Sequence, residues 1–322
     1  MTKLAFLSGL LSWAVLASPQ AFAELYALPR DEGDSVVGEI RYAQAEHEDT
    51  LVDIARDFDV GYNEIISANL AVDRWIPGAG TRVLIPSRYI LPKAPRRGLV
   101  LNVGELRLYY YPAPTDGPPK VVMTFPVSIG RMDWKTPLGS TTVIAKEKNP
   151  AWYPPESIRD EHAMEGEVLP KVIPGGDPEN PLGAYALRLG IKGYLIHGTD
   201  ERKSFGIGMQ VTHGCVRMYP EDIERLYRAV PVGTPVYIVN EPVKAGWRSG
   251  ELYLEVHSDL EEDGQNVADS ETRALAVLRE KAGPGTEIDL EKVARAARGA
   301  IGIPVVVART NTLLPPAQEF RE

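Results

Sequence analysis

The chain has 322 residues, of which 44% are hydrophobic and 25% charged, and its 44 acidic side chains outweigh 35 basic ones for a formal net charge of −9. That acidic balance makes nucleic acid a poor candidate partner, and none is expected. A single cysteine cannot staple its own chain by a disulfide, and the length suits two or three small domains.

The chain opens with Lys3, an apolar run from Leu4 to Ala17 too short to span a bilayer, and the small-x-small triplet Ala21-Phe22-Ala23. This pattern predicts a secretory signal peptide over residues 1–23 and an exported mature chain. Its removal takes Lys3 away and moves the charge from −9 to −10. No later segment is apolar enough to cross a membrane, and the residue directly after the cut is Glu24 rather than a cysteine that could carry a lipid, so no membrane anchor is expected. Two stretches rich in proline and basic residues, Ile85 to Gly98 and Val239 to Gly250, read as linkers and divide the remainder.

Residues 41–86 read as a small βααβ unit. Asp49 or Thr50 caps a helix with Leu51, Ile54, Ala55 and Phe58 on its apolar face. A second short helix brings Ile65, Ile66 and Leu70 together, and Pro77-Gly78 turns the chain into a strand from Arg82 to Ile85. Residues 98–240 carry β-branched and aromatic runs bounded by Gly and Pro, which predicts a mostly β, sandwich-like domain. One helix is expected in it, starting at Pro220 with Glu221 and Asp222 in its first turn and Ile223, Leu226 and Tyr227 on one face. The stretch Asn149 to Pro181 holds seven prolines and little periodicity. Such a long irregular segment reads as a functional loop, a lid over a bound peptide. Residues 246–322 alternate strand, two amphipathic helices and strand, a small α/β segment that covers a sheet edge or binds a partner.

The lone Cys215 sits in "VTHGCVRMYP", beside Gly214, which permits an unusual backbone. A buried cysteine is often an apolar filler, whereas a nucleophilic one needs a base or cation nearby. His213, His197 and His162 are the candidate bases. Zinc held by His197, His213 and Cys215 is the weaker alternative, because structural zinc takes four ligands and usually paired cysteines.

Two resemblances follow from these residues. The first segment resembles the LysM module through Asp49-Thr50-Leu51, Ile54-Ala55, Phe58, Val60, Ile65, Ala68-Asn69, Pro77-Gly78 and Leu84-Ile85-Pro86, with Glu48 in place of a usual glycine. That resemblance implies binding of the peptidoglycan glycan. The second segment resembles the YkuD-type L,D-transpeptidase catalytic domain through His197-Gly198-Thr199, Thr212-His213-Gly214-Cys215, Arg217, Ile129-Gly130 and Thr136-Pro137-x-Gly139.

This second resemblance implies a periplasmic enzyme in which Cys215 attacks the diaminopimelate carbonyl of a stem tetrapeptide and expels D-Ala. His197, its ring held by the Gly198 carbonyl, would be the base. Backbone N–H groups at Gly214 and Cys215 would form the oxyanion hole, with Thr212, His213 and Arg217 supporting the loop or a substrate carboxylate. No metal and no cofactor is implied, and the acceptor would be a stem peptide, an outer-membrane lipoprotein, a free D-amino acid or, for a carboxypeptidase, water. The non-enzymatic alternative is a peptidoglycan-binding protein. Two further expectations concern energetics: protonated His197 lowers the pKa of Cys215, and deletion of Arg41 to Pro86 leaves turnover of a soluble peptide intact.

Overall fold

A computed structural model describes residues 24–310 apart from 32, 115, 265 and 266, so the expected signal peptide lies outside the described residues. Strand β1 (Glu24–Ala27) is followed by β2 (Val36–Gly38) and then by a β3–α1–α2–β4 unit: β3 (Arg41–Gln44), α1 (Leu51–Asp57), α2 (Tyr62–Ala68) and β4 (Arg82–Ile85), with β3 and β4 antiparallel. Thr50 caps α1, its hydroxyl accepting from the Asp53 N–H while the Asp53 carboxylate accepts from the Thr50 N–H. Leu51, Ile54, Ala55, Val60, Ile65, Val83 and Ile85 close a core of their own.

Leu70 does not join Ile65 and Ile66 there, being 78% exposed. The helix has already ended at Asn69, whose side-chain amide donates to the carbonyls of Ile65 and Leu84 and accepts from the Leu84 N–H. Capping by this amide outweighs the extra apolar position.

The stretch read as the first linker contains β5 (Arg88–Ile90), paired with β2. The large sheet then begins: β6 (Gly98–Asn102), β7 (Arg107–Tyr111), β8 (Val121–Pro126), a short β9 (Ile129–Gly130), β10 (Gly139–Lys148), α3 (Glu156–Met164), β11 (Tyr185–Leu189), β12 (Leu195–His197), β13 (Gln210–Thr212), β14 (Val216–Arg217), α4 (Pro220–Ala229) and β15 (Pro235–Val239). Nine strands form one ladder in the order β1-β8-β7-β6-β15-β10-β11-β12-β14, and β9 pairs with β13 beside it.

The sandwich-like expectation is corrected to a single curled sheet. Ser128, two residues beyond β8, exchanges both backbone hydrogen bonds with Arg217 of the far strand at 2.9 Å each, which draws the two ends together. Leu99, Leu108, Phe125, Val143, Leu187, Ile196, Val216, Leu226 and Val236 consequently share one core. Residue alternation shows which side chains face inward, but it does not show whether a ladder splits into two sheets or curls as one.

One helix was expected, and among the described residues of this segment there are two α-helices, α3 and α4. Helix α3 lies inside the proline-rich segment; it follows Pro155 and buries only Ile158, so no apolar periodicity marks it. The base of that segment is pinned. The Asn149 N–H donates to the Ala184 carbonyl at 2.7 Å, and the buried Asn180 amide donates to the carbonyls of Pro150, Ile173 and Pro174.

The βααβ unit is docked on the large sheet through buried charge. Arg107 of β7, fully buried, donates to the Glu64 carboxylate at 2.7 Å, to the Thr124 hydroxyl and to the Asp59 carbonyl, and lies over the Tyr89 ring. Arg56 of α1 grips Glu221 and Glu201 at 2.7 and 2.6 Å. Backbones meet directly at Gly61 and Gly208, where a Cβ on Gly208 would lie 2.4 Å from the Gly61 Cα, and the Tyr62 N–H donates to the Ile207 carbonyl.

The second presumed linker contains β16 (Val243–Arg248), which opens the last unit with β17 (Glu251–Val256), α5 (Val267–Lys281), α6 (Leu290–Gly299) and β18 (Val305–Arg309). Its three strands form a separate antiparallel sheet covered by the two helices, around Leu252, Leu254, Leu278, Val293 and Val307. It packs on β2 and β5 through Val36, Ile90 and Tyr253, and its β17–α5 connection packs on the large domain, where Leu260 joins the sheet's core and the Glu261 N–H donates to the Gln210 side chain. Lys244 secures the junction: its buried ammonium donates to Glu105, to Glu255 at 2.8 Å and to the Ile90 carbonyl at 2.7 Å. Both proline-bearing stretches looked like linkers because their strands are short and broken by charge.

Candidate active site

His197 ends β12 and Cys215 immediately precedes β14, and the two strands pair in parallel with Ile196 opposite Val216 and His197 opposite Arg217. Ile196 and Val216 point into the core, so alternation puts His197, Cys215 and Arg217 together on the other face. His197 is buried and its Nδ1 lies 2.7 Å from the Gly198 carbonyl. A carbonyl can only accept, so Nδ1 carries the proton and Nε2 keeps its lone pair.

Cys215 is half-buried and its thiol donates to the Gly193 carbonyl at 3.6 Å. Two threonine hydroxyls shape its loop: Thr212 donates to the Cys215 carbonyl at 2.5 Å, and Thr136 donates to the Gly214 carbonyl at 2.8 Å while accepting from the Gly130 N–H. With those carbonyls turned away, no acceptor among the described residues takes the Gly214 or Cys215 N–H. Gly214 itself has φ +99°, and a Cβ there would press within 2.9 Å of the Tyr194 ring.

Electrostatics depart from the ionic pairing expected of His197 and Cys215. Burial, with a further push from the Arg217 cation, lowers His197 to about 3 against the opposing pull of the Gly198 carbonyl. Burial likewise raises the thiol, while a backbone bond to Leu195 and the Arg217 charge partly offset the rise. The resting pair is therefore neutral imidazole and neutral thiol, and the cation that favours thiolate is Arg217. The Arg217 Nε is buried without a partner among the described residues.

His213 points elsewhere. Its Nε2 donates to the Glu161 carboxylate of α3 at 2.8 Å, Arg131 also grips Glu161, and Trp134 makes a T-shaped contact with the His213 ring, centroids 5.3 Å apart. His162 pairs with Glu167 within the proline-rich segment. His197, His213 and Cys215 do not converge as zinc ligands. Among the described residues the one cluster tight enough for a metal is Glu105, Glu255 and His257, and the Lys244 ammonium already lies between its carboxylates.

Sequence reading singled out the His197 to Arg217 stretch but missed the roles of Thr136, Arg131, Tyr194 and Glu161. The Ile129–Gly139 run carried a signal for the first two, since it was already marked as patterned. Nothing local marked Glu161, which is 52 residues from its partner His213.

Comparison with known proteins points to one family. The family model YkuD, the L,D-transpeptidase catalytic domain, matches residues 96–238. The chain is 41% identical over 244 residues to the protein named Probable L,D-transpeptidase YbiS of Escherichia coli strain K12, covering 74% of this chain and 77% of that one. It is 36% identical over 306 residues to Probable L,D-transpeptidase ErfK/SrfK of the same strain, covering 93% and 96%. These matches place the chain, with its mostly β curled sheet, in the L,D-transpeptidase family.

Proposed function

We propose that the protein is a periplasmic cysteine L,D-transpeptidase acting on peptidoglycan stem tetrapeptides. Cys215 Sγ attacks the diaminopimelate carbonyl as His197 Nε2 accepts the thiol proton. The C–N bond to D-Ala then breaks, the amine takes that proton from His197, and a thioester remains on Cys215. An acceptor amine attacks the thioester and regenerates the thiol; stem peptides and lipoprotein lysines are the amines of the right chemistry. Gly214 and Cys215 N–H groups stabilise the developing oxyanion, and Arg217 favours the anionic sulfur.

The observation that carries this reading is the His197 ring, fixed by the Gly198 carbonyl so that a bare Nε2 lies on the face shared with Cys215. The βααβ unit is read as a LysM module that holds the glycan. Residues 149–181 are read as a lid that excludes water and so favours aminolysis over hydrolysis.

Intact-mass spectrometry of the protein mixed with a tetrapeptide donor tests the chemistry. An adduct of tripeptide mass is expected on the native protein and none on Cys215→Ala, with both proteins folded. Turnover without any Cys215-dependent adduct would overturn the covalent mechanism.

A further inference from the structure

We propose that Arg131 and His213 form a receptor for a carboxylate of the donor peptide, and that Glu161 of the lid helix occupies this receptor in the free protein as an internal placeholder. The inference rests on the transferase reading above and deepens it.

Three observations converge. First, one carboxylate already sits between a guanidinium and an imidazole: Glu161 accepts from Arg131 Nη2 and from His213 Nε2 at 2.8 Å. Both donors are fixed before any ligand arrives. The Arg131 backbone N–H donates to the Thr212 carbonyl at 2.9 Å, and Trp134 makes a T-shaped contact with the His213 ring. Second, the guanidinium has capacity left. Glu161 engages it through one nitrogen, and Arg131 Nε is buried with no acceptor among the described residues, whereas a fork of this kind can take a carboxylate through two nitrogens. Third, the lid can release Glu161 without unfolding. Its base is held independently by Asn149 and Asn180, and its outer surface is sparsely packed, with Tyr153 65% and Met164 88% exposed.

Position supplies the ligand. His213 is two residues from Cys215, and any donor that presents its diaminopimelate carbonyl to the sulfur carries carboxylates nearby: the terminal one of the departing D-Ala and the side-chain one of diaminopimelate. A ligand carboxylate that displaces Glu161 gains the same two donors and frees the lid helix to settle over the bound peptide. A solvated latch would need neither the bracing of Arg131 by Thr212 nor an unused guanidinium nitrogen.

Three donors test this: a free tetrapeptide, one amidated at the terminal D-Ala, and one amidated at the diaminopimelate side chain. Each is run with the native protein, Glu161→Gln and Arg131→Met, with thermal melts to confirm folding. The native protein is expected to prefer the free donor over one of the amides by about tenfold in kcat/KM, mainly through KM. Arg131→Met should erase that preference, and Glu161→Gln should widen it by lowering KM for the free donor. The amide that is disfavoured identifies which carboxylate is read.

Changes that are equal for all three donors, or that fall on kcat alone, would reduce Glu161 to a structural latch and overturn the receptor. If the native protein turns over none of the donors, the transferase reading fails separately, and alkylation of Cys215 decides the receptor. An iodoacetate-to-iodoacetamide rate ratio that rises in Glu161→Gln and falls in Arg131→Met supports it, and a constant ratio overturns it.

Discussion

Replacing His197 should separate two jobs that a cysteine–histidine pair can perform. With His197 at about 3, protonating it at pH 7 costs on the order of 5 kcal/mol, so imidazolium is a very small fraction of the resting protein. So small a population cannot supply the charge that activates the thiol at rest. The permanent cation acting on the sulfur is Arg217, opposite His197 in the strand pairing.

The assay is the rate of Cys215 alkylation by iodoacetamide against pH, for the native protein, His197→Ala and Arg217→Met. The native rate should climb through neutrality and bend only above the ordinary thiol value of 9.0, because burial raises the thiol. His197→Ala should follow that curve within about twofold between pH 6 and 8, since thiolate fraction sets the rate. The same variant should lose peptide transfer by about a hundredfold to ten-thousandfold, the usual contribution of a general base. Arg217→Met should move the bend to higher pH. A native plateau between pH 5 and 7 that disappears in His197→Ala would refute the neutral-pair reasoning and restore a resting thiolate–imidazolium pair.

Other outcomes follow from the docked βααβ unit. Arg107→Met leaves Glu64 without its buried partner and should destabilise the whole protein by about 3 kcal/mol or more, read as a fall in the denaturant midpoint. For the same reason deletion of residues 41–86 is expected to cost soluble expression and turnover together, contrary to a division into independent beads; normal peptide turnover by the truncated protein would refute the docking argument. Asp59 and Asp222 are both buried and both raised, by burial first; the Asp59 charge further raises Asp222, while Arg225 opposes the rise in each. A carboxyl raised in the fold stabilises below its ordinary value of 3.8 and loses that contribution as pH climbs through the folded value, at about 1.4 kcal/mol per pK unit. Asp222→Asn should therefore raise the melting temperature at pH 8 more than at pH 5, and an equal shift at both would show that Asp222 is already ionised in the fold.

What was legible in the sequence was what is local. Thr212 to Arg217 lie within six residues, and Thr50 and Asp53 within one turn, so their chemistry shows as spacing. What was illegible depends on partners brought from afar. The low pKa of His197 comes from burial, which no neighbour in sequence reports. Glu161 reaches His213 only because α3 folds back over the cysteine loop, and β1 enters the large sheet across the whole βααβ unit to pair with β8.

The same distinction explains why the domain division looked cleaner on paper than in space. Residues 198–212, which connect His197 to the cysteine loop, are among those the βααβ unit leans on: Glu201 is held by Arg56, Ile207 accepts from Tyr62, and Gly208 meets Gly61 with no room for a Cβ. Both ends of that connection carry the proposed chemistry, the base at one and the nucleophile at the other. A displacement of the βααβ unit must move this connection or break Arg107 from Glu64, and the second is the costlier because it strands a buried charge. The unit thus touches the connection between His197 and Cys215 directly, through residues that carry no chemistry themselves.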